Sequence, residues 1–421
     1  MKLAKLKWRF ILLFTLFCAT TFFSQTSIKV LSYETSTVQP GFYNALYVSN
    51  TENILRARFR VSNDNGKTWA IEPTSIKNLG KVPNSSQRNI TTSIYIPEKN
   101  ILVSFFNSLD NPQIAKYSVE PIEAQKDYYL RYRVSNDNGV SWLFDSPLVS
   151  EGNFSQKNPF PGIWTGKNAY YIGDFGSKPI INNIGEIILP VQATILPNQN
   201  NNLNRNNLYN PWGTTSYTDV MILRGKWENN QLVWKMNNKI EGDPKLTTRG
   251  LIEPTIAKLE NGNLLCVMRG SNGGIKDPTF KLLGYKWASI SEDDGQTWSK
   301  PKPWTYDDGN PFYSPSSMSI LFTHSNGRCY WVGNISESNP KGNLPRFPLV
   351  MGEVDQKTMT LIKSSIITLD TQKPDEKAKG NLDLGHTTIY EDRVSKEIVV
   401  SYQRIYSKQK QKDWVTIRLK V

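Results

Sequence analysis

The chain has 421 residues, a formal net charge of +13, 11% aromatic residues including 12 tryptophans, and only two histidines and three cysteines. The length exceeds what a single compact core usually fills, and two histidines exclude a histidine-rich metal site, so no metal or other cofactor is expected. The positive balance suits an anionic partner, and the dispersal of lysine and arginine favours an acidic oligosaccharide or polysaccharide over nucleic acid.

The N-terminus reads MKLAKLKWRF, which is basic, then ILLFTLFCATTFF, which is apolar, then Ser24 and Gln25. This order is that of a secretory signal over residues 1–24, leaving 25–421 as one mature domain. Bulky Phe17 ahead of Cys18 argues against a lipid anchor. No later stretch reaches the ~18 apolar residues that a membrane span requires. The mature chain is therefore expected to be exported, periplasmic or secreted, without an integral membrane segment, and monomeric.

Residues 26 to 150 contain two strand-like runs, LRARFRV (55–61) and YYLRYRV (128–134), with the period-two alternation of half-buried strands. Each leads into almost the same octapeptide, SNDNGKTW (62–69) and SNDNGVSW (135–142), and a third copy, SEDDGQTW (291–298), follows LGYKWASI. An Asp carboxylate can bond the backbone N–H groups ahead of it and Gly tolerates positive φ, so each copy predicts a hairpin tip pinned by Asp and clamped by Trp. Recurrence of one hairpin along a chain predicts an array of similar β-units, two of them in this region.

Between 151 and 245, GEIILPVQ and YTDVMILRGKW read as strands flanking the Asn-rich LPNQNNNLNRNNLYNPWG, which has too little apolar surface to pack and is expected to be a surface loop. KWENNQLVW predicts a hairpin turning at Asn-Asn. Residues 246–421 repeat the pattern in EPTIAKLENGNLLCVMRG, SMSILFTHSNGRCYWVGN, PLVMGEVDQKTMTLI and TTIYEDRVSKEIVVSYQ. The hairpins number about six, with no linker to separate a second domain. Cys266 and Cys329 fall in apolar runs as buried thiols, with a disulfide left open, and His324 beside Ser-Asn-Gly is expected to face solvent.

The octapeptides resemble the Asp box, S-x-D-x-G-x-T-W, of the sialidase superfamily, on Ser62, Asp64, Gly66, Thr68 and Trp69 and on the corresponding residues of the other two copies. The resemblance implies an all-β fold, a six-bladed β-propeller of sialidase type, in which such boxes are structural features of the blade periphery.

Glu253 and Arg269 lie eight residues either side of Asn261 in one predicted hairpin, so both should reach the same blade end. They resemble the sialidase glutamate, which activates a Tyr nucleophile, and the second arginine, which grips the substrate carboxylate. A planar guanidinium does this bidentately where Lys cannot. Arg346, after a Pro- and Gly-rich loop, resembles the third arginine of that family in placement. Phe42 stands where the resemblance places the first arginine, and is expected to wall the pocket with an apolar ring; if the first blade is aligned otherwise, Arg56, Arg58 or Arg60 completes the triad. Asp174 in YYIGDFGSKPI and Asp219 in YTDVMIL are alternative sources of the acid. His386 falls nearest the expected place of the nucleophile, with Tyr390 beyond it, and is a candidate acid/base. Arg249, four residues before Glu253, and Tyr313, held between prolines, are candidate substrate contacts or partners of the site.

These residues imply a sialidase-like carbohydrate-active enzyme, a glycoside hydrolase acting on an acidic glycan. A polysaccharide lyase acting on uronate-containing glycans and a non-catalytic glycan-binding propeller are the alternatives.

Overall fold

The computed structural model describes residues 28–421 except 58–59, 73–86, 111–123, 198–207, 215, 230 and 411. The signal-like N-terminus, Arg58 and most of the Asn-rich stretch lie outside the described residues. Among them, no helix is long and apolar enough to cross a membrane.

The strands make six antiparallel sheets arranged as propeller blades. The first described strand, β1 (Lys29–Ser36), precedes the first complete blade. Blade 1 holds β2 (Leu46–Tyr47), β3 (Leu55–Ala57), β4 (Arg60–Ser62) and β5 (Ala70–Ile71). Blade 2 holds β6 (Gln87–Ile96), β7 (Ile101–Leu109), β8 (Tyr129–Ser135) and β9 (Phe144–Pro147). In blade 3, β10 (Tyr170–Tyr171) and β11 (Ile180–Ile181) both pair with β12 (Ile187–Thr194), followed by β13 (Thr218–Glu228) and β14 (Gln231–Met236). Blade 4 runs β15 (Ile252–Lys258), β16 (Leu264–Arg269), β17 (Lys286–Ser291) and β18 (Lys302–Pro303). Blade 5 runs β19 (Ile320–Thr323), β20 (Cys329–Asn334) and β21 (Leu349–Asp355), with β22 (Thr360–Leu361) and β23 (Ile367–Asp370) both on β21. In blade 6, β24 (Leu382–Asp383) and β25 (Thr387–Glu391) pair with β26 (Ile398–Tyr406), then β27 (Lys412–Lys420). The outer strand of that blade is β1, in register from Lys29 opposite Lys420 to Ser36 opposite Trp414, so the first and last described strands close one blade.

The predicted runs form strands, with one division. LRARFRV divides into β3 and β4, which pair antiparallel with Leu55 opposite Ser62, a break that a continuous alternating run does not reveal. The hairpin expected at KWENNQLVW forms, with Glu228 opposite Gln231.

Apolar clusters fill the seams between blades. One joins Phe105 and Tyr132 of blade 2 to Trp234 of blade 3, another Ile222 of blade 3 to Met268 of blade 4, and a third Val267 of blade 4 to Trp331 of blade 5. Met351 of blade 5 meets Val400 of blade 6, and Tyr390 of blade 6 meets Leu55 of blade 1. Cys266 and Cys329 are buried free thiols in these seams.

The segment between β10 and β11 crosses the middle of the ring and touches every blade. Ile172 exchanges two hydrogen bonds with the Asn107 side chain of blade 2. The ring of Phe175 meets Tyr43, at the entry to blade 1, edge-on at 5.4 Å. Ser177 Oγ donates to the Pro254 carbonyl of blade 4, and Lys178 Nζ to the Ile389 carbonyl of blade 6. At Gly176 a Cβ would lie 2.2 Å from the Ser319 carbonyl oxygen of blade 5, so only Gly fits that crossing.

Each octapeptide closes its own turn. Asp64 accepts from Ser62 Oγ, Thr68 N–H and Thr68 Oγ1, and the Trp69 indole donates to the Gly66 carbonyl. Asp137 and Asp293 repeat the carboxylate bonds. The third turn lies beside the β15–β16 turn, where the Asn183 side chain bonds both Asp294 and Gly262. The octapeptide is thus at the end of blade 4 opposite Glu253 and Arg269.

Candidate functional site

Glu253 sits in a bulge near the start of β15. Ile252, rather than Glu253, is registered opposite Arg269, and the ladder slips before Thr255. Glu253 takes up the slip in the left-handed region, φ 50°, a conformation uncommon outside Gly. Its N–H donates to Gln192 Oε1 of β12, and its carboxylate receives Arg269 Nη1 at 2.5 Å. Counting outward from Asn261 thus finds the correct end of the hairpin with the register one residue off.

Arg269 Nη2 donates to Asn343 Oδ1, on the loop that carries Arg346. Arg346 in turn donates to Asp383 Oδ2 at 3.0 Å and to the Ser316 carbonyl at 2.9 Å. Both guanidiniums are buried, 5% and 9% exposed. Gly385 lies against Arg346, where a Cβ would come within 2.7 Å of Arg346 Cδ, and this close approach brings the next residue, His386, to the cluster. The imidazole is 42% exposed, with Nε2 3.6 Å from Asp174 Oδ2. Asp174 belongs to the axial segment, whose Gly173 packs against Gln192 and the Cα of Glu253.

The two carboxylates are driven apart. Burial and then the charge of Glu253 raise Asp174 to about 6, against the opposing pull of His386, the Phe175 N–H and Arg269. Burial also disfavours the charged form of Glu253, but Arg269, Arg346, Lys286 and Arg249 outweigh it and hold Glu253 below its ordinary value. Glu253 Oε2 is buried with no hydrogen-bond partner among the described residues.

Five predicted residues therefore come together: Asp174, Glu253, Arg269, Arg346 and His386. Arg249 adds its charge to Glu253 while its guanidinium bonds Ser216 Oγ; the ion-pair partner of Glu253 is Arg269. Tyr313 stacks on Tyr285 with ring centroids 5.7 Å apart, next to Lys286 at the same blade end, and its established contacts are with that tyrosine rather than with the charged cluster. Asp219 is placed elsewhere: it accepts the Gly242 N–H, and burial raises it to about 7. A carboxylate at a strand start caps backbone as readily as it serves a site.

Three further expectations are corrected. Phe42 does not wall this cluster; it packs on Tyr390 at 5.8 Å, beside Trp69 of the first octapeptide turn, because an apolar ring gains more from the seam of blades 1 and 6. Tyr390 is buried in that same seam. His324 is 5% exposed rather than solvent-facing, held by the Lys396 carbonyl and the Asn326 N–H. Arg56 pairs with Glu72 at 2.7 Å between blades 1 and 2 and is not the missing arginine.

Sequence reasoning missed Lys286, directly opposite Arg269 in the β16–β17 register. It is fully buried, donates to the Ser317 carbonyl, and is pushed down to about 7 by burial against the pull of Glu253. In sequence it is one more lysine in a strand; only its pairing with Arg269 distinguishes it.

A family model described as a BNR repeat-like domain matches residues 106–410. The chain belongs to that family. This BNR-repeat propeller has the six-bladed fold of the sialidase superfamily. The sialidase of Trypanosoma rangeli, in complex with 2,3-difluorosialic acid as a covalent intermediate, superposes with a TM-score of 0.50 at 16% identity, covering 93% of this chain and 52% of that one. The chain thus spans about half the length of that enzyme. The NanB sialidase of Streptococcus pneumoniae gives a TM-score of 0.51 at 12% identity, covering 93% and 68%. At these identities the likeness establishes the fold. No curated protein was found to match the sequence.

Proposed function

We propose that this BNR-repeat propeller is an exported glycoside hydrolase of sialidase type that acts on an acidic glycan at the axial cluster. The carrying observation is the pair of carboxylates held in opposite protonation tendencies beside two buried guanidiniums. Such a split assigns an acid and a base within one site. Asp174 would protonate the leaving oxygen, and Glu253, kept ionised, would activate water. Arg346, whose bonds to Asp383 and the Ser316 carbonyl leave further donors of a five-donor fork, would hold the substrate carboxylate with Arg269. His386, exposed beside Asp174, would orient that acid. Export rests on the signal-like order of residues 1–24, and the octapeptide turns are read as Asp boxes.

Simple sialosides are expected to be poor substrates and uronate-containing glycans better ones, because among the described residues no arginine of blade 1 stands with Arg269 and Arg346. Each missing charge-assisted contact weakens binding by roughly tenfold or more. The test is a screen of acidic glycans with mass analysis of the products. Products that have gained water support hydrolysis. Efficient, saturable release of sialic acid would overturn the substrate assignment.

One observation favours the lyase reading: Tyr390 is buried away from the cluster, leaving His386 as the exposed proton carrier beside an arginine-held carboxylate. An unsaturated product absorbing at the short-wavelength edge of the ultraviolet would decide for it. Binding without turnover, unchanged in Glu253→Gln, would decide for a glycan-binding propeller.

A further inference from the structure

Six lysines stand at the end of blade 6 that carries the axial cluster: Lys373, Lys377 and Lys379 ahead of β24, and Lys408, Lys410 and Lys412 where β26 turns into β27. Register and one ion pair fix which end this is. Asp383 of β24 lies opposite Ile405 of β26 and receives Arg346. Lys379 is four residues from Asp383 in the chain, so their Cα atoms are within about 14 Å of each other.

The two groups of lysines form one patch on a fixed support. Lys408 N–H donates to the Lys379 carbonyl at 3.1 Å, and Ser407 N–H to the Asn381 carbonyl at 3.0 Å. Gly380 has φ 91°, and a Cβ there would come within 2.9 Å of Lys408 Cγ, so the two segments meet with no side chain between them. Pro374–Lys379 is a 3₁₀ turn whose buried Glu376 receives Arg404 Nη2 at 2.7 Å, and Arg404 is held in turn by Asp370.

All six lysines except Lys379 are exposed. Among the described residues, only Lys379 of the six has a carboxylate within ion-pair distance, Glu376 at 3.7 Å. Arg404 occupies Glu376 and Arg346 occupies Asp383, which leaves Asp375 and Asp413 as the other acids of the two stretches. The only carboxylate side chains outside the described residues are Glu120 and Glu123, which lie between β7 and β8 in the chain. Like charges within a Debye length of ~8–10 Å repel, and soluble surfaces commonly intersperse the two signs. Here the positive charges are kept together on a rigid frame, beside two buried guanidiniums.

We propose that this lysine rim of blade 6 binds the further acidic groups of a polyanionic glycan, one residue of which occupies the axial cluster. The inference rests on the acidic-glycan reading given above. It narrows the substrate from any acidic sugar to a chain with repeated acidic groups. Ammonium groups on flexible stems suit such a chain, because they meet anions at varied spacing as point charges, whereas a planar guanidinium fixes the geometry of one carboxylate.

Calorimetric titration of the full chain with the dimer and the octamer of galacturonic acid tests this. The octamer is expected to bind at least about tenfold tighter than the dimer, with the advantage shrinking as sodium chloride is raised. In the triple variant Lys377→Gln, Lys408→Gln, Lys410→Gln that advantage is expected to be lost while the affinity for the dimer is unchanged. The charge-matched control Lys29→Gln, Lys300→Gln, Lys420→Gln alters exposed lysines at the opposite end of blades 4 and 6, and should keep the advantage. An octamer no tighter than the dimer, an equal loss in the control, or a DNA duplex of equal charge bound as tightly as the octamer would overturn the assignment. Arg346→Gln separates the two readings. If it leaves dimer binding unchanged, the axial carboxylate site fails, and the lysine variant still decides the rim.

Discussion

Asp174 carries an experiment in its own protonation. Its folded-state value of about 6 lies above the 3.8 of a free side chain. Between those values the folded chain retains a proton that the unfolded chain has lost, so this residue's contribution to stability falls as pH rises from 3.8 through about 6. Asp174→Asn is therefore expected to raise stability at pH 7 by on the order of 2 kcal/mol and to give no gain at about pH 3, below both values. Urea unfolding at the two pH values measures it. On the proposed chemistry, kcat/KM of the unmodified protein falls as pH rises through about 6, and Asp174→Asn loses roughly 10²–10⁴ of its rate. An unchanged pH profile in the variant would remove Asp174 from the reaction. At this scale the sequence is a partial guide. Glu253 and Arg269 were legible because both belong to one hairpin. Phe42 was misplaced because the choice between a pocket wall and a blade seam depends on Tyr390 and Trp69, remote in sequence or in another blade.

At the scale of the element, the octapeptide turn and the β15 bulge show what local chemistry decides. Asp137 accepts from Ser135 Oγ, Ser141 N–H and Ser141 Oγ within one turn. Asp137→Ala is expected to cost about 1–2 kcal/mol, the lower part of the range for a lost acceptor, since Ser141 is exposed and water replaces part of the bonding. Activity per folded molecule should be retained, because the related turn in blade 4 lies at the end opposite Glu253; a stable but inactive variant would refute that separation. The bulge is different. Nothing in EPTIAKLENGNLLCVMRG marks Glu253 as left-handed, because the slip is set by its N–H bond to Gln192 and by Gly173 against its Cα, both from blade 3.

The whole molecule is held by the axial segment as well as by the seams. Ile172 to Lys178 contacts all six blades, so its displacement disturbs the ring at once. Gly176→Ala would drive a Cβ to 2.2 Å from the Ser319 carbonyl, and a loss of about 3 kcal/mol or more is expected in denaturant unfolding. Gly185→Ala is the comparison. It has positive φ of 80° but nothing within reach of a Cβ, and about 1 kcal/mol is expected. Equal losses in the two variants would show that the axial crossing is not a constraint.

By itself the sequence determined the β-units, their number and their turns, because strand alternation and the bonds of Asp, Asn and Gly act over a few residues. It also placed Glu253 and Arg269 at one blade end, since a hairpin relates residues by counting. Tertiary structure alone decided that Asp174 of blade 3, Arg346 of the blade 5 loop and His386 of blade 6 meet that pair, that Lys286 lies beneath it, and that Asp219 and Phe42 stay away. Ring closure brings residues more than a hundred positions apart to one axis, and burial there sets which carboxylate keeps its proton. Neither the closure nor the burial is a property of any short stretch of chain.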